Sequence, residues 1–348
     1  MIVTLTANPS VDRTVTLTEP LRRGQVHRAS GVVSHPGGKG VNVARVVASD
    51  GVPVLAVLPG TDDDPVVSGL RAADIAYRTV AVPGQPRTNL TIAETDGTTT
   101  KINEPGRPLT APDLAALTAL LVELAADAEW IVLSGSLPPG VPEDWYARLV
   151  ATLSQCRTAH GGRPRLAVDT SDAPLLALFG ESPGGTPDLV KPNTDELAQL
   201  TGRDPLDLEN PTAAAEAASA LLDRGVGAVL ATLGAAGAVL VTGAGAWFAA
   251  APPIVPRSTV GAGDSALAGY LLADLTGASP ADRLRHAVAY GSAATALPGT
   301  ELPTAADIAL DLVTAVPLVA ATERRHGVQA PGPTSVDPST TPPATRAD

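Results

Sequence analysis

The chain has 348 residues, of which 44% are hydrophobic and 17% are charged, and its 36 acidic and 24 basic residues give a formal net charge of −12. Disorder over most of the length is excluded, because apolar residues are abundant and charge is sparse. An acidic total with few aromatic residues argues against nucleic-acid binding, which uses Lys and Arg on phosphates and aromatic rings on bases. The single cysteine, Cys156, cannot form an internal disulfide.

Short apolar runs alternate with Ala- and Leu-rich stretches of helical spacing along most of the chain. The runs predicted to be buried strands are 2–5, 54–58, 130–133, 166–168, 189–191 and 228–231. The stretches predicted to be helices include 112–127, 144–155 and 212–224. This alternation predicts an α/β fold with a mainly parallel sheet and helices on both faces, whose ligands lie beyond the carboxyl ends of the strands.

Two stretches, 13–34 and 85–104, break this alternation and contain Thr-rich alternating residues, which predict antiparallel strands. Inserted strands of this kind predict a small β-sheet that acts as a lid over the main domain. The predicted division is an α/β core at 1–12, 35–84 and 105–320, a β lid at 13–34 and 85–104, and a disordered Pro-rich tail at 321–348.

Neither the N-terminus nor the longest uncharged segment favours membrane insertion. The first residues lack the basic and long apolar regions of a signal peptide and are interpreted as a buried strand. Segment 225–256 has no charged residue and exceeds the ~20 residues that span a bilayer. Repeated glycines divide it into short β-like runs, which predict two buried strands. We therefore expect a cytoplasmic protein with no membrane partner.

The segment 258–265, Ser-Thr-Val-Gly-Ala-Gly-Asp-Ser, predicts a tight turn into a helix that begins near Ala262. Consecutive amides at a helix N-terminus bind anions. For a transferring phosphoryl group, the amides of Gly261, Ala262 and Gly263 would stabilise developing charge. Asp264 would then accept the proton of the attacking hydroxyl. For the motif in isolation, a capped helix with a favourably placed aspartate is the preferred alternative.

The segment 37–44, Gly-Gly-Lys-Gly-Val-Asn-Val-Ala, predicts a turn at the start of a second helix. Gly37 and Gly38 allow the backbone to approach a ligand closely, and Asn42 can exchange hydrogen bonds with sugar hydroxyls. The phosphate loop of nucleoside triphosphatases is absent, because no Ser or Thr follows Lys39. A flexible turn before an amphipathic helix is the simpler alternative.

Two further motifs follow predicted strands. In the segment 191–197, Asn193 and Glu196 lie on one side of a helix start, where they could hold Mg²⁺ through water. The alternative is a capping box between the same two residues. The segment 232–237, Thr-Leu-Gly-Ala-Ala-Gly, is a glycine turn after a buried strand, for which a simple hairpin is the alternative.

In their order along the chain, at 37–44, 191–197, 232–237 and 258–265, the four motifs make residues 1 to about 318 resemble the ribokinase-like (PfkB) family of carbohydrate kinases. The resemblance implies a Rossmann-like core with a small β lid, ATP and Mg²⁺ as cofactors, and Asp264 as general base beside Gly261, Ala262 and Gly263. It assigns the metal ion to Glu196. It assigns the nucleotide to Lys191, Asn193, Thr232, Leu233, Gly234, Ala235, Ala236, Gly237 and Gly263.

Other segments resemble the branch of the family whose substrates already carry a phosphate. One is Asn-Pro-Ser-Val-Asp at 8–12, whose aspartate binds sugar hydroxyls in that branch. Arginine suits a phosphate because it offers two donors in a fork, although ordinary surface charge is the alternative for Arg28 and Arg87. The resemblance assigns the sugar phosphate to Asp12, Arg28, Gly37, Gly38, Lys39, Asn42, Arg87, Asn89 and Ser136.

The resemblance thus implies direct in-line transfer from ATP to a ketohexose monophosphate, with fructose 1-phosphate as the expected substrate. Fructose 6-phosphate and tagatose 6-phosphate stay open as alternatives, and a non-catalytic sugar-phosphate-binding regulator is an alternative of another class. A homodimer through the lid is also implied. The acidic total does not oppose an anionic substrate, because residues 1–45 hold six basic side chains against two acidic ones.

Overall fold

The computed structural model describes residues 1–180 and 185–318. Within them, numbered in chain order, the strands are β1 (Ile2–Thr6), β2 (Ser10–Leu17), β3 (Ala29–Gly37), β4 (Val54–Pro59), β5 (Tyr77–Val80), β6 (Arg87–Ala93), β7 (Thr99–Asn103), β8 (Trp130–Ser134), β9 (Arg165–Asp169), β10 (Leu189–Val190), β11 (Ala228–Thr232), β12 (Ala238–Thr242), β13 (Gly245–Ala249) and β14 (Ala315–Leu318). The helices are α1 (Lys39–Ser49), α2 (Pro65–Ala72), α3 (Ala111–Leu124), α4 (Trp145–Leu153), α5 (Asp172–Ala177), α6 (Thr194–Thr201), α7 (Pro211–Leu222), α8 (Ala262–Leu275) and α9 (Pro280–Ala296).

The larger sheet has the strand order β14-β13-β12-β11-β10-β9-β8-β1-β4-β5. All pairs from β5 to β11 are parallel, whereas β12, β13 and β14 add antiparallel strands at one edge. Strands such as β1 and β8 are buried at every residue, as expected for continuous apolar runs covered on both faces. The predicted α/β fold is confirmed.

Helices cover both faces of this sheet and divide the core into two layers. Helices α3 to α7 pack on one face with strand residues such as Val3 and Leu133. Helices α1, α2, α8 and α9 pack on the other face with Ile2 and Val132. The alternation follows from the strand geometry, since successive side chains point to opposite sides. The N-termini of α1 and α8 therefore reach the sheet from the same side.

The smaller sheet has the order β3-β2-β6-β7 and confirms the predicted second sheet. Its outer pairs are antiparallel, but the central strands β2 and β6 run parallel, with Ser10 opposite Arg87. The prediction of antiparallel strands is thus wrong for the central pair. Strands β2 and β3 form one hairpin, and β6 and β7 form the other. The two hairpins pair through their first strands, β2 and β6. The boundaries of core and lid stay a prediction.

The uncharged segment 225–256 forms strands β11, β12 and β13, one strand more than the sequence predicted. Strand β13 pairs with β12 in the large sheet. Among the helices of residues 1–180 and 185–318, none is long and apolar enough to cross a membrane. The tail predicted to be disordered lies outside the described residues.

Candidate active site

Asp264 lies in the first turn of α8, where the helix approaches the carboxyl edge of the large sheet. Its side chain is buried, with 6% of the residue exposed. The preceding turn passes through Gly261, whose φ of 75° favours glycine. The sequence placed this turn, the helix start and the aspartate correctly. The buried carboxylate therefore stands at a helix N-terminus, next to the predicted anion-binding loop.

Asn42 joins the two glycine motifs through a side-chain hydrogen bond. Its Nδ2 donates to Oδ2 of Asp264 over 2.8 Å, although the residues are 222 positions apart in the chain. Burial first, and then the negative charge of Asp169, raise the pKa of Asp264 to about 6. A base with this pKa is ionised near neutral pH and still binds a proton more strongly than an ordinary aspartate.

Asp169, at the end of β9, is a site residue that the sequence analysis missed. Its buried carboxylate accepts a 2.8 Å hydrogen bond from Nζ of Lys39, and Nζ of Lys191 lies 3.2 Å from its other oxygen. A signal was present, because Asp169 directly follows the predicted strand 166–168 and so comes at the ligand-binding edge of the sheet. The residue thus links the substrate-side and nucleotide-side motifs.

Lys191 places its ammonium group against the first turn of α8. A Cβ added to Gly263 would lie 3.0 Å from Nζ of Lys191, so the glycine leaves room for this close approach. The loop amides and the ammonium group therefore face the same small volume. This combination of backbone dipoles and a cation is suited to a phosphoryl group.

Asn193 and Glu196 form a reciprocal capping box at the start of α6. Oδ1 of Asn193 accepts from the amide of Glu196 at 2.8 Å, and Oε2 of Glu196 accepts from the amide of Asn193 at 2.9 Å. The capping alternative therefore describes the observed hydrogen bonds. Glu196 is buried, and its charge contributes to the raised pKa of Lys39. Its assignment to a metal ion stays a prediction.

The segment 232–237 forms the turn of the β11–β12 hairpin beside the capping box. Thr232 and Asn193 form an isolated parallel β-bridge, which brings the two predicted nucleotide motifs together. Leu233 is buried, while the turn residues 234–236 are exposed. A Cβ at Gly237 would lie 2.0 Å from the carbonyl oxygen of Ala249, so this position has room only for glycine. The hairpin alternative is observed, and the nucleotide assignment stays a prediction.

Asp12, on β2, is held by two donors from the small sheet. Its Oδ1 accepts from Oγ of Ser10 at 2.8 Å and from Nδ2 of Asn89 at 2.9 Å. A Cβ at Gly37 would lie only 2.2 Å from the same carboxylate, which explains the glycine there. The next residue, Gly38, has a φ of 105°, a backbone conformation that favours glycine. Asn89 therefore orients Asp12, and its assignment to the substrate stays a prediction.

A cleft of about 420 Å³ opens between the small sheet and the loop after β8. It is lined by Asn8, Arg87 and Ser136, and Nδ2 of Asn8 donates to Oγ of Ser136 at 3.4 Å. Burial lowers the pKa of the Arg87 guanidinium, and the charge of Asp12 partly opposes this effect. Arg28 is exposed just before β3, and the hydrogen bonds within the described residues do not include it. The structure thus brings Arg87 and Ser136 together without Arg28.

Comparison with known proteins gives consistent results. Residues 5–307 match the model of the pfkB family carbohydrate kinases. The chain is similar to a 1-phosphofructokinase of Xanthomonas campestris, with 39% identity covering 80% of this chain and 85% of that protein. It is also similar to a 1-phosphofructokinase of Haloferax volcanii, with 37% identity covering 88% of this chain and 95% of the relative. A crystal structure of phosphofructokinase-2 from Escherichia coli with substrates and products superposes with a TM-score of 0.79 and 32% identity, covering 88% and 96% of the two chains.

Proposed function

This chain belongs to the pfkB family of carbohydrate kinases, and from this premise we propose that it phosphorylates fructose 1-phosphate with ATP, giving fructose 1,6-bisphosphate. The observation that carries the proposal is the position of Asp264. On one side of Asp264 are the anion-binding loop and Lys191. On the other side are the substrate-side residues Asn42 and Lys39. Relatives named 1-phosphofructokinase support the choice of substrate.

The proposed reaction is a direct transfer in which Asp264 accepts the proton of the attacking sugar hydroxyl. The amides of Gly261, Ala262 and Gly263, together with Lys191, bind the transferring phosphoryl group, on which negative charge is spread in the transition state. Because Asn42 donates to one oxygen of Asp264, the other oxygen is left to face the hydroxyl. Preorganised donors of this kind need no rearrangement during the reaction.

For the sugar phosphate, we propose that the cleft beside Arg87 and Ser136 takes the phosphate group and that Asp12 takes the sugar hydroxyls. Arginine matches a phosphate with two donors, whereas a carboxylate accepts from hydroxyls. Asp12 is fixed before substrate arrives, because Ser10 and Asn89 already bind it. Arg28, exposed just before β3, stays part of the proposal as a phosphate ligand from the lid.

The residues present fit a magnesium ion that is bound mostly by phosphate oxygens and water. Within the described residues, no group of three or more His, Cys, Asp or Glu side chains is arranged to hold a metal. Glu196 supplies one buried carboxylate beside the nucleotide motifs, which agrees with the preference of Mg²⁺ for one or two carboxylates. When bound, the ion neutralises phosphate charge.

Steady-state kcat/KM for fructose 1-phosphate, fructose 6-phosphate and tagatose 6-phosphate, measured by ADP release, tests the substrate. We expect fructose 1-phosphate to be preferred at least tenfold, a difference of about 1.4 kcal/mol in transition-state binding. The Arg87→Ala variant should lose at least tenfold in kcat/KM for each sugar phosphate, because its phosphate contact is charge-assisted. Absence of ADP release with all three would favour the non-catalytic regulator.

We further propose that the small sheet is the contact surface of a homodimer. Its edge strands β3 and β7 expose Val32, Val33 and Ile102 to 48%, 53% and 54%, and unpaired apolar edges favour association. Sedimentation velocity should give twice the mass of one chain for the wild type and a monomer for Val33→Asp. The control Val316→Asp changes a valine on the large sheet that is 46% exposed, close to the value for Val33, and should stay dimeric.

A further inference from the structure

The carboxylate of Asp169 lies between two lysines that come from different elements of the fold. Lys39 is the first residue of α1, and Lys191 directly follows β10. Both ammonium groups lie within ion-pair distance of Asp169, one on each carboxylate oxygen, at 2.8 and 3.2 Å. The side chain of Asp169 is fully buried and that of Lys191 is 5% exposed, so water screens their contact little. The side chain of Lys39 is 32% exposed and its ion pair is partly screened. The proposed phosphoryl transfer does not require this carboxylate to touch substrate.

Each lysine also contacts a different part of the reaction centre. Nζ of Lys191 lies 3.0 Å from where a Cβ on Gly263 would be, against the phosphoryl-binding loop. Lys39 occupies the same first turn of α1 as Asn42, the residue that binds Asp264. A single buried carboxylate therefore fixes one cation beside the loop and another beside the base.

Removal of Asp169 would leave two unbalanced positive charges. The ammonium groups would repel each other, and Lys39 would be attracted to Asp264 and Glu196, the other carboxylates whose charges raise its pKa. Burial tends to lower the pKa of Lys39, but Asp169 and Asp264 outweigh it and raise that pKa above the ordinary value. An ammonium group that moved onto Asp264 would occupy the oxygen required for the sugar hydroxyl.

We propose that Asp169 is a positioning residue, which holds Lys191 at the phosphoryl-binding loop and keeps Lys39 from forming an ion pair with Asp264. The inference rests on the proposed function, because the roles of Lys191 and Asp264 are those of the proposed transfer. It adds to that function a residue that arranges charge on both sides of the transferring group without contacting it.

The lysine content makes this proposal directly measurable. The chain has three lysines, Lys39, Lys101 and Lys191, so selective ¹³C labelling at the ε-carbon gives three signals, which single Lys→Arg variants assign. In Asp169→Asn, the signals of Lys39 and Lys191 should both shift, since each ammonium group loses the carboxylate that it contacts. The signal of Lys101, exposed on the lid, should not change.

A matched control is Asp188→Asn. Asp188 also forms an ion pair, with Arg163 at 2.7 and 2.8 Å, but at the opposite end of the same part of the sheet. This variant should leave all three lysine signals and kcat unchanged. Asp169→Asn should lower kcat at least tenfold. It should also shift the acidic limb of the kcat/KM profile to lower pH, because the Asp169 charge helps to raise the pKa of Asp264. A merely structural role would not move that limb.

Unchanged lysine signals in Asp169→Asn would overturn the proposal, whatever the kinetics. If that variant does not fold, the wild type still tests the proposal. A Lys39 signal that titrates at or below the pKa of an ordinary lysine would contradict the ion pair with Asp169. A wild-type enzyme that phosphorylates none of the three sugar phosphates would instead overturn the proposed function, while the lysine measurement would stand on its own.

Discussion

Replacement of Asp264 by asparagine is expected to lower kcat for fructose 1-phosphate at least a hundredfold while leaving the fold intact. A positioned general base contributes about 10²–10⁴-fold, and an amide cannot accept the proton. Asparagine has nearly the same shape and keeps an oxygen that can accept from Asn42. Substrate binding should change little, so the loss should appear in kcat. A variant that retains more than a hundredth of the wild-type kcat would contradict the assigned role.

The pH dependence of the wild type provides an independent check on the same residue. Because burial and the charge of Asp169 raise the pKa of Asp264 to about 6, the base is protonated below this pH and ionised above it. The kcat/KM for fructose 1-phosphate should therefore rise between about pH 5 and 7 and level off above. An acidic limb centred near pH 4, the range of ordinary aspartates, would contradict the proposed environment.

The same substitution should make the protein more stable, in contrast to its effect on activity. The folded-state pKa lies about 2 units above 3.8, so the folded state favours the protonated form, and this contribution is lost as pH rises from 4 through 6. Above pH 7 the buried charge costs up to about 3 kcal/mol, which asparagine avoids. Urea unfolding should show this gain in full at pH 8 and only about a third of it at pH 4.5.

The sequence predicted the large sheet well because its strands are covered on both faces. Continuous apolar runs such as 130–133 and 228–231 have no other stable place in a folded chain, and both became central strands. The small sheet was harder. Residues 29–34 of β3 are all exposed, so hydrophobicity gave no signal, and the parallel pairing of β2 with β6 joins segments about 75 residues apart.

At the site, the sequence could identify motifs but not contacts. Glycine turns and first-turn polar residues follow from local rules, so Asp264 and Asn42 were both found. Their hydrogen bond across 222 residues was not predictable, since it depends on the packing of α1 against α8. Asp169 was missed because one acidic residue after a strand forms no motif. Its importance arises only when Lys39 and Lys191 converge on it in three dimensions.

The second large effect is expected far from the chemistry, at Asp274 near the end of α8. Its buried carboxylate accepts from Nε1 of Trp130 at 2.8 Å, lies 2.9 Å from Arg283 and forms an ion pair with Arg165. Arg165 also stacks on Trp130, with 4.6 Å from its Cζ to the ring centre. A carboxylate near a helix C-terminus is unfavourable, so the two arginines are needed to offset the helix dipole.

Asp274→Ala is therefore expected to lower the free energy of unfolding by about 3 kcal/mol, because it leaves a buried indole N–H and two cations without their partner. This loss is at the low end of the range for a broken buried ion pair. The side chains of Arg165 and Arg283 are 38% and 26% exposed, so water can solvate their charges once the carboxylate is removed. Asp274→Asn, which keeps an acceptor for Trp130, should lose less. Urea unfolding with an unchanged m-value measures both.

Activity measurements should show that the network around Asp274 stabilises the fold without taking part in the reaction. Five-residue strands place Trp130 and Arg165 about 13 Å from the carboxyl edge of the sheet, and ten helical residues place Asp274 about 15 Å from Asp264. At 25 °C, Asp274→Ala should keep a wild-type kcat/KM, although it inactivates at a lower temperature. As a control, Glu123→Ala breaks an exposed ion pair with Arg78 and should cost about 1 kcal/mol or less. A variant at Asp274 with the wild-type urea midpoint would show that α8 is anchored by its packing alone.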